Sequence, residues 1–292
     1  MSKKNRIIIY VALVIIFTLF NFYFRPIKGN PLITSEYRNS SAYINDLYKS
    51  DEFFKKTLLD KDHYYIYEEM VNASLHNKTH VNIKCEETID ECQKNFMNSY
   101  YAIYLDHPEL ISFVGIGYYN INNGVIDYEN YGNLTELRTF FGTRRIDREL
   151  DIIRSETEGM SEKEKIIYVY DYVASHNYDT MFTFTKSNQS AYSFFTGGKS
   201  VCAGFAKASQ LIFQYIGIKS YLVMSKTHMW NYVQYDGKYY VYDATMGASL
   251  RDKSSSHFYD GLGTTTIKNT IGMYSQFYPN IETTHLKDIF NL

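Results

Sequence analysis

Three residues in the C-terminal half have the types and order needed for nucleophilic chemistry: Cys202, His228 and Asp243. Cys202 follows a glycine-containing turn, Gly197 and Gly198, and opens the amphipathic run CAGFAKASQLIFQY, which places it at the start of a predicted helix. Free main-chain N–H groups and the positive end of the helix dipole stabilise a thiolate there, the form in which cysteine attacks a carbonyl. Gly217 stops that helix, and Ile218 to Met224 reads as a strand. Next, THMWNYVQYDGKYYVYDATM reads as two strands around Asp236-Gly237, a two-residue hairpin turn. In that register His228 lies opposite Thr245 and Asp243 opposite Trp230, with all four side chains on one face. His228 and Asp243 become diagonal neighbours at ~7–8 Å between backbones, within reach for a carboxylate to hold an imidazole in one tautomer. A lone cysteine is more often a small buried core residue. Its combination with a paired His and Asp points to an activated thiol.

The runs GKSVCAGFAKASQLIFQYIGI and HMWNYVQYDGKYYVYDAT resemble the core signature of the transglutaminase-like superfamily. Its usual form is G-x-x-V-C-x-G-[YF]-A, a following G-I, then H-A-W-N and a strand ending D-x-T-W. EKIIYVYDYVASHNYDT and AYSFFTGG are similar to the family's preceding helix and to its small loop before the cysteine. DHPELISF resembles a motif in the N-terminal half of bacterial proteins carrying this domain. The similarity covers about residues 160 to 247. It implies an α+β, papain-like core in which a helix carrying the cysteine packs on an antiparallel sheet carrying the histidine and aspartate.

The same resemblance implies roles. Cys202 is the nucleophile, His228 the general base and acid, and Asp243 the orienter. The N–H of Cys202 supplies one oxyanion donor; Tyr192, at the family's aromatic position in the loop, is either the second or a structural ring. Trp230 packs over the site and Asn231 bonds within the strands. Met229 and Met246 stand where alanine and tryptophan are common, so the pocket differs. Thr196 stands six residues before the cysteine, where papain-type proteases carry glutamine. The implied activity is extracytoplasmic, cysteine-dependent acyl transfer through a thioester, by a peptidase, amidase or transglutaminase. The substrate is a protein, peptide or cell-wall peptide amide. No acidic cluster resembles the calcium sites of animal transglutaminases, which favours hydrolysis over crosslinking, and no cofactor or metal is expected. The superfamily also includes members that have lost catalysis, so the alternative is an inactive adaptor that binds peptides or cell wall.

The elements that position these residues belong to a chain of 292 residues, 45% apolar and 21% charged, a composition that can bury a sizeable core. The formal net charge of −2 gives no field that draws nucleic acid. Tyr 30 and Phe 19 reflect either genomic base composition or a surface that contacts carbohydrate. Residues 7 to 24 form an apolar stretch after Lys3, Lys4 and Arg6. At roughly 27 Å as a helix it matches one hydrocarbon core, with the N-terminus kept in the cytoplasm. It is either a transmembrane anchor or a cleaved signal, and both leave the remainder outside the cytoplasm. Residues 25–45 read as a stalk, 46–145 as a small N-terminal α+β domain, and 146–292 as the transglutaminase-like domain. Cys85 and Cys92 flank a capping box, Thr88 with Glu91, whose break in the helix leaves them free to bridge or to remain thiols.

Overall fold

The computed structural model describes residues 50–292 apart from 77, 112, 114, 131–133, 135, 181–187, 198, 251–258 and 263–274. In chain order its elements are α1 (Phe53–Leu58), α2 (Tyr64–Leu75), β1 (His80–Lys84), α3 (Ile89–Asp106), β2 (Ile116–Asn122) and β3 (Val125–Asn130). Then follow α4 (Glu136–Glu156), α5 (Glu162–Ala174), α6 (Ala191–Phe195) and α7 (Cys202–Tyr215). The last are β4 (Ser220–Met224), β5 (Met229–Tyr235), β6 (Lys238–Tyr242), α8 (Ala244–Leu250) and α9 (Leu286–Phe290). The architecture is mixed α+β with two antiparallel three-stranded sheets, ordered β1-β3-β2 and β4-β5-β6.

Both hairpins turn on residues that tolerate the left-handed region. Asn123 and Gly124 have φ of 50° and 72°, and Asp236 and Gly237 have 48° and 74°. Two successive positive φ values match the right-handed twist of the flanking strands. The second turn sets the register Asn231↔Tyr242 and Val233↔Tyr240, the one expected from the sequence. Two helices start on full capping boxes, Thr88 with Glu91 and Ser161 with Glu164.

Other elements differ from expectation. α2 and β1 carry no capping residue or turn dipeptide that announces them. Of the helical pattern at 43–60, the described residues hold α1, six residues long, and 43–49 lie outside them. β2 begins at Ile116 rather than near Ile111, and α4 begins at Glu136 rather than near 146, so one helix crosses the position of the expected domain boundary. Among the described residues no helix is long and apolar enough to cross a membrane. The expected anchor at 7–24 and stalk at 25–45 lie outside the described residues.

The core is organised around α7, almost every residue of which is buried. One side packs with α4, α5 and α6 through Leu150, Ile153, Val169, Phe194, Leu211 and Ile212. The end carrying Cys202, Ala203 and Ala206 packs with Phe96, Ile103 and Tyr104 of α3 and with Tyr221, Leu222 and Met229. The nucleophile's helix is therefore held from both halves of the described chain.

Candidate active site

Cys202 is the first residue of α7, after Val201 in extended conformation. The turn before it is fixed by a knot of small hydroxyl residues. Ser193 Oγ donates to Ser190 O at 2.7 Å and bonds Ser200 Oγ at 2.9 Å. Gly204 packs against this knot: a Cβ there would stand 1.9 Å from Ser200 Oγ and 3.0 Å from Ser190 O. The thiol is free of any disulfide and only 7% exposed.

His228 ends the loop before β5. Ser225 Oγ accepts its N–H at 3.0 Å, and the Ser225 N–H returns a bond to His228 O at 2.9 Å. The imidazole stacks on the buried Trp230 ring, 5.7 Å between centroids and 18° between planes. Trp230 thus backs the histidine and fixes its plane.

Asp243 corrects the expected geometry. The strand does not run on to Thr245; β6 ends at Tyr242 and α8 starts at Ala244. Asp243 stands at the junction as a helix cap, its Oδ1 accepting the Thr245 N–H at 3.0 Å. Its Oδ2 lies 2.7 Å from His228 Nε2, and the carboxylate is 2% exposed. Its own N–H donates to Gly261 O at 2.7 Å, and Gly247 and Gly261 both pack against the Tyr170 hydroxyl. A carboxylate with one oxygen tied to a helix N–H has the other aimed, which is what an orienting residue requires.

The other group that raises the pKa of the His228 imidazole is the Cys202 side chain. With Nε2 held by Asp243, the nitrogen that faces the sulfur is Nδ1. Burial pulls the imidazole pKa down, but the hydrogen bonds to Asp243 and Cys202 and their negative charges outweigh it. The net value rises to about 10. The arrangement therefore favours an imidazolium beside the sulfur at neutral pH.

Other expected residues fall as follows. The Tyr192 ring packs on Gly142 of α4, where an added Cβ would lie 2.5 Å from it. The tyrosine whose phenol is electrostatically coupled to Cys202 is Tyr178, which no motif in the sequence announces. Asn231 does more than bond within its sheet: its Nδ2 donates to Ala206 O at 2.9 Å, tying the histidine's strand to the cysteine's helix. Met229 is buried beside Cys202, and Met246 is exposed on α8. Cys85 and Cys92 form a disulfide across the Thr88 cap, with Cα atoms 6.0 Å apart. Glu87 lies near both sulfurs, but a disulfide offers no thiolate to a metal.

Behind α7 lies a second polar group that the sequence did not announce. Lys207 is 2% exposed, with its Nζ 3.9 Å from the centroid of the Tyr104 ring. Burial lowers its pKa to about 7 against the opposing charge of Glu109. Glu109 in turn holds His107 Nδ1 at 2.5 Å, and His107 Nε2 meets the Tyr67 hydroxyl at 2.6 Å. The DHPE run thus ends α3 in a buried chain of polar groups reaching the cysteine's helix.

Residues 151–244 match the core of the transglutaminase-like superfamily. A solved structure described as "Crystal structure of a TGase" is similar at 19% identity with a TM-score of 0.33, over 65% of this chain and 58% of that one. The chain thus aligns with little more than half the length of that protein. No curated protein matches the chain.

Proposed function

We propose, from the premise that residues 151–244 belong to the transglutaminase-like superfamily, that this chain is a cysteine-dependent acyl-transfer enzyme acting on protein or peptide amides. The observation that carries the reading is a single imidazole hydrogen-bonded to a buried carboxylate and electrostatically coupled to the cysteine that opens α7.

The roles follow from the geometry. The Cys202 sulfur attacks the amide carbon. His228, charged and held by Asp243 through Nε2, gives its Nδ1 proton to the leaving amine. The same nitrogen then takes a proton from the water or amine that resolves the thioester. Burial of Asp243 and the fixed Oδ1 bond keep the imidazole from turning between the two steps. Hydrolysis is the favoured outcome, because the sequence carries no acidic cluster that resembles the calcium sites of animal transglutaminases. The Cys85–Cys92 disulfide supports an oxidising compartment, consistent with a chain held outside the cytoplasm by residues 7–24.

A second reading is a non-catalytic adaptor for peptides or wall polymers. It is favoured by the 7% exposure of Cys202. Incubating the protein with glutamine-containing peptides and a fluorescent primary amine separates the cases by mass spectrometry. Cleavage or deamidation indicates hydrolysis, and amine incorporation indicates transfer; either must vanish in Cys202→Ala. Turnover retained by Cys202→Ala refutes the enzyme assignment, and peptide binding without turnover, equal in both proteins, favours the adaptor.

A further inference from the structure

A tetrahedral intermediate on the Cys202 sulfur would place its oxyanion against the main-chain N–H of Cys202. The Tyr178 phenol lies close enough to Cys202 for that N–H to lower its pKa against the burial that raises it. The phenol thus stands beside the place where charge would develop.

Tyr178 is not a loose neighbour. It forms a parallel bridge with Ser200, and the next N–H, of Asp179, donates to Ser200 O at 2.8 Å. Asn188 Nδ2 ties down the Asp179 carboxylate at 3.2 Å, while Asn188 O accepts the Val201 N–H at 3.0 Å. The Tyr178 ring lies 5.7 Å from that of Phe205, on the first turn of α7. Its backbone is therefore fastened to the turn that presents the nucleophile, so the hydroxyl can pivot at the site but cannot easily leave it.

We propose that Tyr178 is a catalytic residue, the second oxyanion donor: on attack its hydroxyl turns its proton onto the oxyanion that the Cys202 N–H also meets. This inference rests on the reading of Cys202 as nucleophile. In the step, a sulfur electron pair forms the C–S bond and the carbonyl π pair moves onto oxygen. Two N–H and O–H donors then meet that charge. Collapse restores the carbonyl and expels the leaving group with its bonding pair; an amine so expelled takes the proton from His228. The phenol keeps its proton throughout. Burial, and the charges of Cys202 and Asp243, hold it above the ordinary tyrosine range against the opposing effect of the Cys202 N–H.

Two reagents on the full-length chain separate this role from a structural one. p-Nitrophenyl acetate acylates a cysteine through an oxyanion, whereas iodoacetamide alkylates it without forming one. Tyr178→Phe keeps the ring on Phe205 and removes only the hydroxyl. We expect nitrophenolate release and acylation of Cys202 to slow about 10²-fold, with alkylation changed by no more than about twofold. Unchanged or faster acylation overturns the proposal, the latter by making the phenol a plug. Equal losses with both reagents overturn it by making Tyr178 structural. If the wild type is not acylated at Cys202 at all, the nucleophile reading itself falls and this inference with it.

Discussion

Replacing Asp243 by Asn keeps the shape of the side chain and removes its charge, and the structure dictates which way the amide must turn. Oδ1 accepts the Thr245 N–H at 3.0 Å, and Oδ2 faces His228 Nε2 at 2.7 Å, with the carboxylate 2% exposed. If the amide NH₂ faced Thr245, two donors would meet in a buried position at a cost of about 1–3 kcal/mol. That is roughly a 5- to 150-fold preference for the opposite flip. In the preferred flip the NH₂ points at Nε2, which must then accept, and the imidazole proton moves to Nδ1. A neutral His228 in that tautomer cannot take a proton on the side facing Cys202. The analogous wrong-tautomer change in a Ser-His-Asp triad costs about 10⁴-fold, and we expect at least about 10³-fold here. The assay is the nitrophenolate burst with p-nitrophenyl acetate, with thermal melting as the folding control. Because the Thr245 bond survives, the melting point should hold within a few degrees. A folded Asp243→Asn protein that acylates within about threefold of wild type would refute the orienting role.

Other perturbations have worked directions. Gly204→Ala drives a methyl to 1.9 Å from Ser200 Oγ, with backbone at 3.0 Å behind it. It should cost about 1–3 kcal/mol in urea unfolding and displace the Cys202 turn, so slower alkylation should accompany the loss. Asn231→Ala removes the 2.9 Å bond to Ala206 O and should cost about 1 kcal/mol, measured the same way. Replacing both Cys85 and Cys92 by Ala opens a short loop and should cost about 2.5 kcal/mol, with acylation at Cys202 retained. His228 and Lys207 give opposite slopes of stability against pH. The folded value near 10 for His228 exceeds its ordinary 6.5, so its stabilisation is full below pH 6.5 and is lost as pH rises toward 10. The folded value near 7 for Lys207 lies below its ordinary 10.5, so its penalty lifts as pH rises from 7. Urea unfolding at pH 7, 8 and 9 should therefore show stability rising more steeply with pH in His228→Ala than in wild type, and falling more steeply in Lys207→Met. Parallel curves in all three proteins would count against both shifts.

What was legible in the sequence was what short-range chemistry writes. The Asp-Gly dipeptide sets two positive φ values and with them the register that brings the ends of β5 and β6 together. The capping boxes at Thr88 and Ser161 mark helix starts by one local hydrogen-bond exchange each. The position of Cys202 at a helix start follows from the apolar pattern of α7. Asp243 was misjudged as a strand residue because a carboxylate at a strand end and one at a helix cap look alike until the chain beyond them is placed. Tyr178 was not legible, since its approach depends on a bridge to Ser200, 22 residues on, in a chain rich in tyrosine. Tyr192 looked better placed only because it lies nearer in sequence; Gly142, from a distant helix, captures its ring. Lys207 reads as an ordinary lysine on a helix, and only the docking of α3 onto α7 buries it.

The central claim is that His228 activates Cys202, and the most direct test is the pH dependence of iodoacetamide labelling of Cys202, located by mass spectrometry, in wild type and His228→Ala. The account predicts rapid labelling of the wild type at pH 6.5 and its loss in His228→Ala. Labelling that climbs only around pH 8.5 in both proteins would contradict it and leave the adaptor as the better description.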